Sequence, residues 1–232
     1  MKRSQINQLI DEALEFIHNQ QFYLPTWAKW NADIWQTKGD EVDEIRKHGL
    51  GWMVTDFGSK DFDKTGLLAF VIRNGLLLNN RPQTTKLYAE KMFIVQPEQV
   101  TPWHFHWMKT EDLINRGGGR LEVELAWAAD DEKSFEERDV RVQVDGVTKV
   151  IPFGDKLILE PGESVTLPPK LCHQFCGHKG DKKVLAGEIS SLNDDTKDNC
   201  FLGKKVERST IIEDEAAKYS LTGEYTIGAP RT

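Results

Sequence analysis

Three histidines and a glutamate are spaced so that they can share one metal ion. Thr101-Pro102-Trp103-His104-Phe105-His106 sets two imidazoles at i and i+2, a spacing that puts both on one face of a strand. Glu111 follows five residues after His106, ahead of a tight turn at Gly117-Gly118-Gly119, and His173 lies far downstream beyond Pro161-Gly162 and Pro168-Pro169. Three imidazoles and one carboxylate bind a divalent transition ion and leave positions open for a substrate. The donor set suits Mn²⁺, Fe²⁺, Co²⁺ or Zn²⁺. On a straight strand Glu111 would face away from His104 and His106, so a bulge or turn over residues 107–110 has to intervene. Glu122 and Glu124, which share a strand face just after the glycine turn, are the alternative carboxylates. His18, His48 and His178 sit at a helix end or beside glycine-bearing turns and read as structural or solvated.

Ligands so far apart in sequence need a rigid frame. Residues 3–18 read as an amphipathic helix, with Ile6, Leu9, Ile10, Ala13, Leu14 and Ile17 at three- and four-residue steps. A short second helix is expected over Asp40–Lys47, ending near Gly49. From residue 54 the apolar runs become short: Leu67–Ile72, Lys86–Val95, Leu121–Trp127, Val140–Val144, Leu157–Leu159, Ser164–Leu167 and Lys183–Ile189. Turn signals at Asn79-Asn80, Asp145-Gly146 and Pro161-Gly162 separate them. Many short strands point to an all-β sandwich or barrel. The expected organisation is a helical extension over 1–53 packed on a barrel over 54–232, with a polar tail that wraps it. Trp27, Trp30, Trp35 and Trp52 either anchor irregular chain on the core or floor a carbohydrate site.

Composition narrows the class by exclusion. The 232 residues carry 30 Lys plus Arg against 37 Asp plus Glu, a formal charge of -7 with no basic block, which argues against nucleic-acid or anionic-membrane partners. No apolar run approaches a membrane span, and the N-terminus does not read as a secretory signal. Three cysteines make no disulfide framework, so a cytoplasmic setting is expected. Cys172 and Cys176 flank His173 four residues apart and read as small apolar fillers.

Two motifs resemble those of the cupins: His104-x-His106-x(4)-Glu111-x(5)-Gly117, and Gly154-x(6)-Pro161-Gly162-x(10)-His173. The second has a long gap before its histidine, and Gln174 stands where many cupins place an asparagine, a departure that points away from the oxidase branches. A longer string, His104-Phe105-His106-Trp107-Met108-Lys109-Thr110-Glu111-Asp112-Leu113-Ile114-Asn115-Arg116-Gly117-Gly118-Gly119, is similar to the cupin-type D-lyxose isomerases. So are Gly187-Glu188-Ile189-Ser190-Ser191-Leu192-Asn193-Asp194-Asp195, with Asp198-Asn199 behind it, the helical extension and the chain length. The resemblance implies an all-β cupin (double-stranded β-helix, jelly-roll) barrel and a turn that carries Glu111 to the ion. It also implies a metal-dependent isomerase of small aldoses, converting D-lyxose to D-xylulose and D-mannose to D-fructose, in a homodimer. An Fe²⁺ cupin dioxygenase and a non-catalytic sugar-binding cupin are the competing readings.

Isomerisation by an enediol needs a group that takes a proton from one carbon and returns it to the next. Glu188 shares a strand face with Val184 and Ala186; if that face lines the barrel, it is the candidate base, and otherwise it is a surface carboxylate. Lys109 is either a solvated loop residue or an acid or cation near the substrate oxygens, its pKa depressed by the ion. Asp198 and Arg208, in the tail, are candidates for binding sugar hydroxyls or are solvated charges.

Overall fold

A computed structural model describes residues 1–78, 81–84, 86–203, 206–207 and 209–225. The chain begins with helix α1, Arg3–Asn19, where Ile6, Ile10, Ala13 and Ile17 are buried on one side as their spacing requires. Short helical turns follow at Thr26–Lys29, Ala32–Gln36, Asp40–Val42 and Asp43–Lys47. The longer strands are β1 (Gly51–Thr55), β2 (Leu67–Arg73), β3 (Tyr88–Val95), β4 (Thr101–Phe105), β5 (Glu111–Gly118), β6 (Leu121–Ala128) and β7 (Val140–Val144). They continue with β8 (Val147–Ile151), β9 (Lys156–Leu159), β10 (Ser164–Leu167), β11 (Leu171–Gly177), β12 (Val184–Ser191) and the short β13 (Cys200–Phe201).

Among the described residues these strands form two main antiparallel sheets. The larger has the order β1-β2-β3-β12-β5-β10-β7-β8, and the smaller β9-β6-β11-β4-β13. Their inner faces meet in one core that includes Phe93, Leu113, Val123, Leu125, Val142, Leu157, Val165, Phe175 and Ala186. The outer face of the larger sheet is also buried where α1 lies on it, through Leu68, Phe70, Ile72, Met92, Ile94 and Leu185. Burial on both faces explains the unbroken apolar runs Leu67–Ile72 of β2 and Met92–Val95 of β3. Beyond the helix the pattern reverts to alternation: Val140, Val142 and Val144 are buried while Arg141 and Gln143 are exposed.

Glycine makes the close contact between helix and barrel possible. Gly118 has φ +92, and a Cβ there would lie 2.1 Å from the Lys183 carbonyl and 3.2 Å from the Phe16 ring of α1. Two sequence expectations shift. The boundary at residue 53 falls inside β1, whose pairing with β2 makes Gly51–Thr55 part of the sheet. The tail runs along α1 as well as the barrel: Met1 donates to Thr210 O at 2.7 Å, and Asn7 donates to Glu215 at 2.6 Å. No helix among the described residues is long and apolar enough to cross a membrane.

Candidate active site

The turn that Glu111 needs is present. β4 ends at Phe105, the chain bends at Trp107–Met108, and β5 starts at Glu111. His104 and His173 are register partners across β4 and β11, with ring centroids 4.1 Å apart. One ligand atom from each of His104, His106, Glu111 and His173 can be chosen so that all four lie within 4.8 Å of one another, and all four residues are buried.

The three rings are held in a common orientation. His104 Nδ1 lies 2.8 Å from Pro102 O, His106 Nδ1 2.6 Å from Asp198 O, and His173 Nδ1 3.1 Å from Leu171 O. A carbonyl can only accept, so each Nδ1 carries the proton and each Nε2 keeps a lone pair for an ion. His106 Nε2 is buried with no hydrogen-bond partner, while His173 Nε2 approaches Glu111 Oε1 at 2.9 Å. Burial lowers the His104 pKa well below its usual value, reinforced by His173 and His106, which favours the neutral ligating form. Burial works against the Glu111 charge, but the adjoining Lys109 ammonium holds the carboxyl well below its ordinary range. The donor set therefore fits a divalent ion. Glu122 and Glu124 do not compete: Glu122 pairs with Lys156 at 2.7 Å and His178 at 2.6 Å, and Glu124 accepts from Gln174.

Beside this cluster lies a buried chain of charges. Lys109 Nζ is 2.6 Å from Glu111 Oε2 and 2.9 Å from Glu188 Oε1. Glu188 projects from β12 into the cavity, directly opposite Lys91 of β3, and its second oxygen is 3.6 Å from Lys91 Nζ. Lys91 also reaches Asp195 at 3.1 Å and Asn193 at 2.7 Å. A bound ion would depress the Lys109 pKa, and the chain's own groups act the other way. Burial opposes the ammonium, but Glu111, Glu188 and Asp195 together raise its pKa above the ordinary lysine value. Asp195 behaves as the counterpart: burial opposes its charge, and Lys91 and Lys109 overcome this and hold it ionised.

Lys91, Asn193 and Asp195 escaped the sequence reading as site residues. A lysine within the apolar run of β3 was the available signal for the first.

Asp198 is buried, but its carboxylate is not offered to a sugar. Its two oxygens accept from the Met108 and Lys109 backbone N–H groups at 2.9 and 3.0 Å, and its carbonyl holds His106. This residue fixes the turn between the histidine pair and Glu111. Arg208 lies outside the described residues. The four early tryptophans do not line the cavity; Trp27 and Trp52 pack on Phe70 instead, as anchors of the core. Burial pushes the thiol pKa of Cys172 to about 12 and of Cys176 to about 11, which suits unreactive fillers.

Two packed antiparallel sheets enclosing a buried His₃–Glu cluster define a cupin. Solved structures with a similar fold include an Acinetobacter sp. DL28 L-ribose isomerase variant in complex with L-ribose, at TM-score 0.61 and 14% identity, covering 91% of this chain and 98% of that one. The ligand-free Cellulomonas parahominis L-ribose isomerase is alike at TM-score 0.60 and 14% identity, with the same coverage. At the level of sequence, the D-lyxose isomerase family model matches residues 1–225. The D-lyxose/D-mannose isomerases of Escherichia coli O157:H7 and Serratia proteamaculans are 43% and 41% identical over 97% of this chain and 98% of each relative. The chain belongs to the D-lyxose isomerase family, a family of aldose–ketose isomerases.

Proposed function

We propose that this protein interconverts D-lyxose and D-xylulose, and D-mannose and D-fructose, with a divalent ion, Mn²⁺ first, held by His104, His106, Glu111 and His173. The observation that carries the reading is the position of Glu188: a buried carboxylate 2.9 Å from a buried ammonium, in the same cavity as the ligand cluster. When bound, the ion polarises the substrate carbonyl and orients the reacting oxygens. Glu188 takes the proton from C2 of the aldose and returns it to C1. Lys109 gives a proton to O1 and recovers the one released at O2, so its ammonium is restored at the end of the cycle. Lys91 and Asn193 keep Glu188 and Lys109 in place. The cavity measures about 120 Å³, on the scale of one monosaccharide. A dioxygenase has no evident use for two buried lysines and two further carboxylates beside its metal ligands.

The test is direct. Protein loaded with Mn²⁺ is incubated with D-lyxose or D-mannose and the ketose is measured. Ketose formation that stops on chelation supports the reading, and none with any divalent ion refutes it.

A further inference from the structure

Among the described residues five buried side-chain polar atoms have no hydrogen-bond partner: Arg46 Nε, Thr101 Oγ1, His106 Nε2, Ser190 Oγ and Asn199 Oδ1. Such atoms are rare in folded proteins, and each calls for an explanation. Three of the five belong to residues that line the same cavity, Thr101, His106 and Asn199. An ion accounts for His106. It does not account for a threonine hydroxyl and an amide carbonyl, which are weak ligands for a site that already has three imidazoles and a carboxylate.

Both groups are aimed by the backbone. On a regular strand Thr101 and His104 would face opposite ways. Thr101 pairs with Phe175 and His104 with His173, so three steps on β4 match two on β11. That bulge turns Thr101 to the cavity side, as bulges beside sites do. Asn199 is oriented by its own amide: Nδ2 points to Asp195 O at 3.2 Å and Asp195 Oδ1 at 3.4 Å. Its Oδ1 is thereby left over. The preceding residue, Asp198, is clamped to the 108–109 turn, so the carbonyl is held by the same short loop that secures Lys109.

We propose that Thr101 Oγ1 and Asn199 Oδ1 form a hydroxyl-binding pair for the non-reacting end of the sugar. Asn199 accepts a hydrogen bond from one hydroxyl, and Thr101 exchanges one with another. The pair rests on the monosaccharide reading and extends it, because it fixes which way round the substrate lies. The reacting carbons face the ligand cluster and Glu188, while the remaining hydroxyls meet Thr101 and Asn199 among apolar walls that include Met53, Leu67 and Phe93.

The experiment uses the Mn²⁺-loaded protein titrated calorimetrically with D-arabinitol, the polyol formed by reducing D-lyxose, which cannot isomerise. T101V and N199A each weaken binding about tenfold, the scale of one hydrogen bond, and T101S restores it. T101V keeps its metal and melts no lower than the parent, because it removes a hydroxyl that the free protein leaves unpaired; a hydroxyl with a structural role would lower the melting temperature. Polyol binding unchanged in both variants overturns the pair, as does a parent that does not bind the polyol. A parent that binds it through Thr101 and Asn199 yet makes no ketose supports the pair and sinks the isomerase reading alone.

Discussion

Arg3 and Lys109 are both buried cations that meet two carboxylates, and they are built differently. Arg3 of α1 makes two forks, to Glu213 at 2.7 and 2.9 Å and to Glu224 at 2.6 and 3.2 Å. Its carboxylate partners remain in contact with water, with side chains 59% and 32% exposed. Lys109 meets Glu111 and Glu188, whose side chains are only 5% and 6% exposed. Around Arg3 all three guanidinium nitrogens donate, as befits a joint between helix and tail. Around Lys109 charges of both signs are desolvated, and residues that carry unpaired polar atoms line the same cavity. Desolvating ions is a poor way to gain stability. The first arrangement ties the helix to the tail; the second lines a cavity with desolvated charge.

Substitutions can break that contrast. The largest effect is expected from H104A, which removes a ligand from the buried cluster: metal content by elemental analysis falls sharply and ketose formation drops to background. Retained metal and activity would mean that the cluster is not the site. D198A is expected to follow, since it frees the Met108 and Lys109 N–H groups while leaving the four ligands and Glu188 in the chain. Groups that orient metal ligands are typically worth 10–100-fold in affinity or activity, and a loss in that range is predicted, read as metal affinity and kcat. An effect confined to KM would return Asp198 to the substrate-binding role that the sequence suggested. R3M should do the least to chemistry. It costs about 2 kcal/mol from lost charged hydrogen bonds, a fall in Tm of about 4–8 °C, with kcat unchanged; a large loss of kcat would erase the distinction between the two clusters.

The sequence revealed the periodic and the chemically unusual parts. Val140–Val144 and Ser164–Leu167 are strands with the boundaries their patterns predict, and α1 extends one residue past the expected 18. His104, His106, Glu111 and His173 come together because residues 107–110 break the strand, a turn that the family resemblance implied and periodicity alone did not show. Glu188 was legible from its apolar face-mates: Val184 and Ala186 lie in the core beneath it. What stayed hidden depends on tertiary pairing. Lys91 becomes a site residue only because β3 lies beside β12 with Lys91 opposite Glu188. Thr101 reaches the cavity through a bulge that residue parity hides. The hold that Asp198 has on the 108–109 turn was hidden as well, because only the fold brings its two oxygens to those backbone N–H groups.

The central claim is that Glu188 moves the proton while four other residues hold the ion. The most direct measurement is kcat and metal content of E188Q under Mn²⁺ with D-lyxose. The account predicts a loss of about 10²–10⁴-fold in kcat, the usual worth of a general base, with metal content at the parent level. Parent-like turnover, or loss of the metal along with the activity, would contradict it.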